Sequence, residues 1–174
     1  MIKLKGRTFY VIAAIDENGG IGRNGKLPWR IPSELAYFKY VTTAAIRNKR
    51  NVVIMGRNTW ESIPDRFRPL PDRLNIVLSR NSEYTAPGAI VIPNLSSALA
   101  YCEKENSIDD VFVIGGAELY KEAVVHPACV AIFLTIIKGN HECDRFFPKL
   151  EPKWVRVACR TEPGWTGMVY ERVK

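Results

Sequence analysis

No apolar run in the sequence approaches the ~18 residues that a membrane-spanning helix needs. The start, residues 1–7, is basic and precedes an apolar stretch at 8–15, as in a secretory signal. That stretch runs into Asp16-Glu17 and lacks a small-residue cleavage site, so it reads as a strand. Histidine is scarce, with only His126 and His141, and the four cysteines (Cys102, Cys129, Cys143 and Cys159) contain no Cys-x-x-Cys pair. Neither a metal-ligand cluster nor a redox motif can be assembled from that spacing, and no metal is expected. Reduced, mostly buried thiols in a cytoplasmic protein are the plain reading. Internal repeats, low-complexity tracts and linkers are also missing, so nothing marks a second domain.

What is present is the composition of one globular domain over residues 1–174: 47% apolar and 25% charged residues, in a chain long enough to bury a full core. A mainly disordered, collagen-like or heptad-driven chain is excluded. Lysine and arginine exceed the acidic residues by 25 − 18 = +7, which favours anionic partners. The basic residues are dispersed, apart from Arg47-Asn-Lys-Arg50, which reads as a solvated helix end. No interleaving of basic and aromatic residues suggests a nucleic-acid groove. An anionic small molecule explains the charge as well as a nucleic acid does.

Short β-branched runs at 9–15, 51–55, 74–78, 89–92, 111–114 and 130–137 are mostly continuous rather than alternating, as strands covered on both faces must be. Helical spacing separates several of them. Residues 33–46 carry Leu35, Phe38, Val41 and Ala45 on one face, and 96–103 and 117–125 follow the same pattern. The alternation predicts an α/β fold, a mostly parallel twisted central sheet flanked by helices. Segments 154–159 and 168–173 flank Pro163-Gly-Trp-Thr-Gly167 and predict a C-terminal antiparallel hairpin with a longer loop.

Five segments carry chemistry. Asn18-Gly-Gly-Ile-Gly-Arg-Asn-Gly25-Lys-Leu-Pro-Trp29 follows the first strand. It lacks the third glycine of a dinucleotide fingerprint, and Pro28 and Pro32 keep a helix from following directly. A bare loop, a lid and a cofactor contact all remain open there. Glu34 and Phe38 lie four apart on a helix face beside Leu35, where the carboxylate is a first-turn charge or an acid in an apolar pocket. Val53-Ile-Met-Gly-Arg57-Asn-Thr59-Trp joins a buried strand to a helix with Gly, Arg and Thr at the junction, an arrangement suited to anions. Arg73 and Ser79-Arg80 bracket a strand. Val111-Phe-Val-Ile-Gly115-Gly116-Ala-Glu-Leu-Tyr120 joins a strand to a helix through two glycines, as a plain tight turn or a phosphate site.

Taken together, these segments resemble the dihydrofolate reductase family over essentially the whole chain. The resemblance rests on Gly20-Ile-Gly22 leading to Leu27-Pro-Trp29, Glu34 with Phe38, and Met55-Gly-Arg-Asn-Thr-Trp60-Glu-Ser-Ile63. It extends through Arg68-Pro-Leu70, Arg73, Leu78-Ser-Arg80, Ile114-Gly-Gly116 with Tyr120, and Phe133-Leu-Thr135.

It implies NADPH-dependent reduction of 7,8-dihydrofolate to tetrahydrofolate, with hydride delivered to pterin C6 and a proton to N5, by an enzyme that also binds antifolates. A cytoplasmic monomer is expected from the reduced thiols and from the lack of an obvious extra apolar face. By resemblance, Glu34 meets the pterin, while Trp29 and Thr135 hold a water and the carboxylate in place. Arg73 clamps the glutamyl α-carboxylate, and Ile12, Leu35, Phe38, Ile63, Phe67, Leu70, Ile114 and Tyr120 line the substrate pocket. For NADPH the resemblance implies Ala14, Ile21, Gly22, Gly25 and Leu27 near the nicotinamide, and Gly56, Arg57, Asn58 and Thr59 near the phosphates. Leu78, Ser79 and Arg80 fall at the adenosine 2′-phosphate end, and Ile114, Gly115, Gly116, Ala117, Leu119 and Tyr120 beside the pyrophosphate. The family joins the two glycines by a cis peptide bond.

The chain also departs from parts of the family. Only four residues separate Trp29 from Glu34, as in bacterial members, although many of those carry Asp at the acid. Residues 120–127 look more like animal enzymes, and Glu118 stands where some members have a basic residue. A related deaminase-reductase domain of riboflavin synthesis would share the sheet and the NADPH site but would not need Glu34 with Arg73 or Leu27-Pro-Trp29. A basic nucleic-acid module would leave the glycine motifs unused.

Overall fold

The computed structural model describes residues 6–173; residues 1–5, most of the basic start, lie outside the described residues. Its frame is an eight-stranded sheet. In chain order the large strands are β1 (Phe9–Asp16), β3 (Arg50–Gly56), β4 (Arg73–Leu78), β5 (Ile90–Ile92), β6 (Ile108–Val113), β7 (Cys129–Ile137), β9 (Trp154–Glu162) and β10 (Trp165–Arg172). Their spatial order is β5-β4-β3-β6-β1-β7-β10-β9. Every pairing from β5 to β7 is parallel, and β10 runs antiparallel to both β7 and β9.

Strand alternation separates two apolar layers. Phe9, Val11, Ala13 and Ile15 join Val52, Ile54, Val111 and Val113 in one buried cluster with α3 (Leu95–Lys104) and α4 (Ala117–Val125). Ile12, Val53, Met55, Val77 and Phe112 point the other way, into a cluster that contains Phe38 and Val41 of α1 (Pro32–Thr43) and Trp60 of α2 (Arg57–Ser62). Being covered on both faces accounts for the continuous apolar runs in the sequence. Pro32 sits in the first turn of α1, where its missing N–H costs nothing. Asn94 caps α3 by accepting a bond from the Ser97 N–H at 2.8 Å.

The structure corrects the sequence-based reading in several places. The terminal hairpin turns through Pro163 and Gly164 alone, with β10 already begun at Trp165, so the longer loop is absent. Gly164, at φ 86°, makes that short turn possible. Helix α1 stops at Thr43, leaving Ala45 outside it, and the exposed 47–50 cluster forms a turn into β3 rather than a helix end. A two-stranded ladder between β2 (Gly20–Gly22) and β8 (Arg145–Phe146) was not foreseen, since neither segment has a strand's composition. All four cysteines are free; Cys102 and Cys129 are buried, Cys143 is half-buried and Cys159 is exposed.

Candidate active site

The connections from β3 lead toward β4 and β5, whereas β6 connects to β7 on the opposite side. Adjacent parallel strands whose connections diverge leave a crevice at their carboxyl ends, where open α/β sheets place ligands. Gly56 ends β3 there, and its N–H donates to the Gly115 carbonyl at 2.9 Å, while the Ile114 N–H donates to Ile54 at 2.9 Å. The Gly115–Gly116 peptide is cis, as is Arg68–Pro69. A Cβ on Gly56 would meet the Gly115 carbonyl and the Gly116 N–H at 3.9 Å, ordinary contact distance. Gly115, at φ +112°, lies flat against Tyr120, whose ring carbons would be 3.0 Å from an added Cβ. Gly116 caps α4 without a side-chain bond and lies 3.3 Å, measured from an ideal Cβ, from Thr59 Oγ1. The first N–H groups of α4, a nine-residue helix, thus face the crevice floor unpaired by any capping side chain, a geometry suited to phosphate oxygens.

Around this crevice the structure distributes the residues selected from sequence. Ile12 is buried, and Phe38, Ile63, Leu70 and Ile114 pack partly buried in the same cluster. Leu35 and Phe67 stay 44% and 52% exposed. Leu35 of α1 thus stays outside the buried cluster that Phe38 and Val41 of the same helix join. Glu34, on the same helix, is only 6% exposed and appears in no ion pair or side-chain hydrogen bond among the described residues. Burial pushes its carboxyl up to about 7. The buried Tyr120 hydroxyl is raised chiefly by burial and further by Glu34, and it donates to the Ile12 carbonyl at 2.8 Å.

Arg73 opens β4 and is buried. Its Nε donates to the Pro71 carbonyl and its Nη1 to Thr42 Oγ1, each at 2.8 Å, with the guanidinium 6.0 Å from the Phe38 ring centroid. No carboxylate of the described residues pairs with it, and burial lowers its pKa. Two of its five N–H donors are used on the protein, so the rest of the fork remains for a ligand.

Trp29 is buried against Ile137 and Trp165, with Ala14 packed on the same cluster, and its indole N–H has no partner among the described residues. Thr135 is buried on β7 directly across from Ala14. Ile21 and Leu78 pack partly buried against the larger cluster, in which Leu119 is buried. Ser79 is half-buried, Ala117 is half-buried at the start of α4, and Asn58 and Arg80 are exposed. Arg57 pairs with Glu61 at 2.7 Å and lies 4.4 Å over the Tyr84 ring, a stacking partner the sequence did not suggest.

Gly22, Gly25 and Leu27 belong to the glycine-rich loop, which is not free-standing. The Asp144 N–H donates to Gly22 and the Phe147 N–H to Gly19, both at 2.9 Å, and Asn24 N–H reaches Asp144 Oδ2 at 2.9 Å. Leu27 is 54% exposed at the end of this loop. Sequence reading treated Asp16 only as the end of a strand. An Asp followed at once by a polar, glycine-rich turn is the pattern of a side chain that bonds its own downstream backbone, and that signal was available.

A parallel sheet with a divergent crevice, a glycine turn at a helix start, a buried carboxylic acid and a buried arginine without an opposite charge have the character of an α/β enzyme site. Comparison with known proteins shows the family. The sequence model of the family described as "Dihydrofolate reductase" matches residues 8–164. The dihydrofolate reductase of Heliothis virescens is 46% identical over 146 residues, covering 81% of this chain and 79% of that one. The bifunctional dihydrofolate reductase-thymidylate synthase of Daucus carota is 46% identical over 155 residues, covering 83% of this chain and 29% of that one. The solved structure of Schistosoma mansoni dihydrofolate reductase superposes with a TM-score of 0.82 at 38% identity, covering 97% of this chain and all of the other. The chain belongs to the dihydrofolate reductase family.

Proposed function

We propose that this chain reduces 7,8-dihydrofolate to tetrahydrofolate with NADPH, and that the crevice divides into a cofactor half and a substrate half. The observation that carries the division is Glu34: a buried acid without a protein partner, held near neutrality at the apolar end of the crevice. A pterin offers a planar pair of N–H donors that a carboxylate accepts in parallel. Desolvation keeps the acid able to exchange a proton near pH 7, the useful range for general acid–base work. Glu34 orients the ring, and the buried Trp29 indole N–H and Thr135 hydroxyl supply donors for the water that carries the proton toward N5. Arg73 holds the α-carboxylate of the glutamyl tail, with Ile12, Leu35, Phe38, Ile63, Phe67, Leu70 and Ile114 against the pterin and benzoyl rings.

The residues of the other half fit NADPH. Gly56, Gly115 and Gly116 bring bare backbone together, with Gly115 against Tyr120 and Gly116 against Thr59. The α4 N-terminus with Ala117 and Leu119 presents N–H groups to the pyrophosphate, and Tyr120 walls it. Arg57, Asn58 and Thr59 meet the phosphates. Leu78, Ser79 and Arg80 take the adenosine end, where the exposed guanidinium suits a 2′-phosphate. Ala14, Ile21, Gly22, Gly25 and Leu27 border the nicotinamide. When bound, NADPH supplies the hydride; the protein supplies alignment and exclusion of water.

In this reading residues 1–174 work as one reductase domain, as a cytoplasmic monomer. The test is the fall in NADPH absorbance on adding dihydrofolate, with NADH as the control. Turnover at least ~10-fold faster in kcat/KM with NADPH is expected, the scale of one charge-assisted bond to the 2′-phosphate. No turnover, or equal use of both cofactors, overturns the assignment.

A further inference from the structure

One buried carboxylate fastens the glycine-rich loop to the opposite side of the crevice mouth. Asp16 closes β1, is 1% exposed, and uses both oxygens. Its Oδ1 accepts from the N–H groups of Asn18 at 3.0 Å and Gly20 at 2.8 Å. Its Oδ2 accepts from the His141 N–H at 2.9 Å and the Cys143 thiol at 3.6 Å. The first two donors belong to the glycine loop and the second two to the turn after β7. Burial alone would raise this carboxyl, but the His141, Gly20 and Asn18 N–H groups together with the Cys143 thiol outweigh it and hold the group below its ordinary value. The two segments also touch directly: an ideal Cβ on Gly20 would lie 2.2 Å from Cys143 Cβ and 2.5 Å from its Sγ. Gly20 is not in the left-handed region, so this contact, not backbone conformation, is what requires glycine.

We propose that Asp16 is a positioning residue for the cofactor, which clamps the glycine loop against residues 141–143 and so sets the backbone of Ile21 and Gly22 at the nicotinamide end of the crevice. This rests on the assignment of that end to NADPH. His141 extends the clamp to the reaction site, because its ring stands edge-on to Trp29 at 5.2 Å between centroids. The clamp works only with two acceptor oxygens. In Asp16→Asn one end of the side chain becomes a donor and must face either the loop pair or the 141/143 pair of donors, so one half of the clamp opens whichever way the amide turns. The shape of the side chain is otherwise kept.

Asp16→Asn and Gly20→Ala attack the same joint from its two sides. Both variants should bind NADPH roughly tenfold more weakly by fluorescence titration, with dihydrofolate KM within about twofold of the unmodified protein, the scale of one charge-assisted bond lost at the loop. In the absence of any ligand, hydrogen exchange should quicken at the Asn18, Gly20 and His141 amides but not in β3 or β6. Gly20→Ala acts on both halves of the joint, since its methyl would press on Cys143 and would lie 3.1 Å from Asp16 Oδ1. Equal losses for both ligands, with exchange raised throughout the sheet, would make Asp16 a structural residue and overturn the proposal. So would unaltered NADPH affinity in both variants. If the unmodified protein itself neither binds NADPH nor oxidises it with dihydrofolate, the cofactor assignment falls and takes the clamp's role with it. Normal turnover in the parent with no selective loss in the variants removes the clamp alone.

Discussion

At the scale of single residues, the site depends on two ionisable groups that the fold buries without an opposite charge. Glu34 and Arg73 are both nearly inaccessible, and neither is matched by an opposite charge among the described residues. An unpaired buried charge is costly, so such positions mark where a ligand completes the structure. For Glu34 the consequence is a pH profile. With its carboxyl near 7, kcat/KM, which reports the free enzyme, should fall above about pH 7 as the acid ionises. Glu34→Gln should remove that bend and lower turnover by roughly 10²-fold at neutral pH, the scale of a lost general acid, with a smaller deficit in acid, where substrate arrives already protonated. Steady-state kcat/KM and kcat across pH 5–9 check both. Unchanged activity at pH 7 would reduce Glu34 to a first-turn charge. For Arg73 the consequence is ligand selectivity. Its guanidinium is oriented by Pro71 and Thr42, and Lys cannot reproduce two parallel bonds to a carboxylate. Arg73→Lys should weaken dihydrofolate and methotrexate by about 2–3 kcal/mol, the worth of charged hydrogen bonds, and leave small diaminopyrimidines, which lack the carboxylate, nearly unaffected. Titrating both ligand classes on one variant separates this from misfolding, which would weaken both alike.

At the scale of elements, the two faces of the sheet have different duties. Helices α3 and α4 cover one face and α1 and α2 the other, where the crevice lies. Loss of the Asn94 cap of α3 should therefore touch stability alone. Asn94→Ala removes the acceptor for the Ser97 N–H and should cost about 1 kcal/mol, with kcat unchanged. Denaturant unfolding beside steady-state rates checks this, and a parallel drop in kcat would show that the far face is coupled to the site. The same elements show what could be read before the structure. The continuous apolar runs identified β1, β3, β4, β6 and β7 because double burial leaves a compositional mark. Gly115-Gly116 and Pro32 marked their junctions through backbone constraints that only those residues satisfy. The β2–β8 ladder left no such mark: Gly20, Gly22, Arg145 and Phe146 pair because Asp16 and the loop contacts bring them together. The Pro163-Gly164 turn was overestimated because Trp165 and Gly167, read as loop residues, are buried strand positions. Of the site, Glu34 and Arg73 could be named through the family resemblance, since their spacing alone left a first-turn charge and a solvated strand-end arginine open, but their lack of an opposite charge is a tertiary fact. The two-sided bonding of Asp16 is another, since half its donors lie more than a hundred residues away.

At the scale of the whole molecule, the two buried carboxylates push stability in opposite directions with pH. Asp16 is held below its ordinary 3.8, so its contribution is present above that value and is lost as pH falls through the native pKa. Glu34 is raised from 4.5 to about 7. Between those two values the native state binds more protons at this position than the unfolded chain, so stability falls as pH rises through the window. The relative stabilisation from a neutral Glu34 is whole below about 4.5 and gone once the native group ionises above 7. The 2.5-unit difference corresponds to at most about 3 kcal/mol. Glu34→Gln cannot ionise, keeps the size of the side chain, and escapes this cost. Its Tm should therefore exceed the parent's by several degrees at pH 8, given roughly 2–4 °C per kcal/mol for a domain of this size, and the difference should close by about pH 4. The variant that loses the most activity would thus be the more stable protein at neutral and alkaline pH. Thermal unfolding of both proteins without ligand from pH 4 to 8 makes the measurement. A Tm difference that stays constant across the range would mean that Glu34 keeps its solvent in the free protein. Its burial in the crevice would then not be the source of its chemistry.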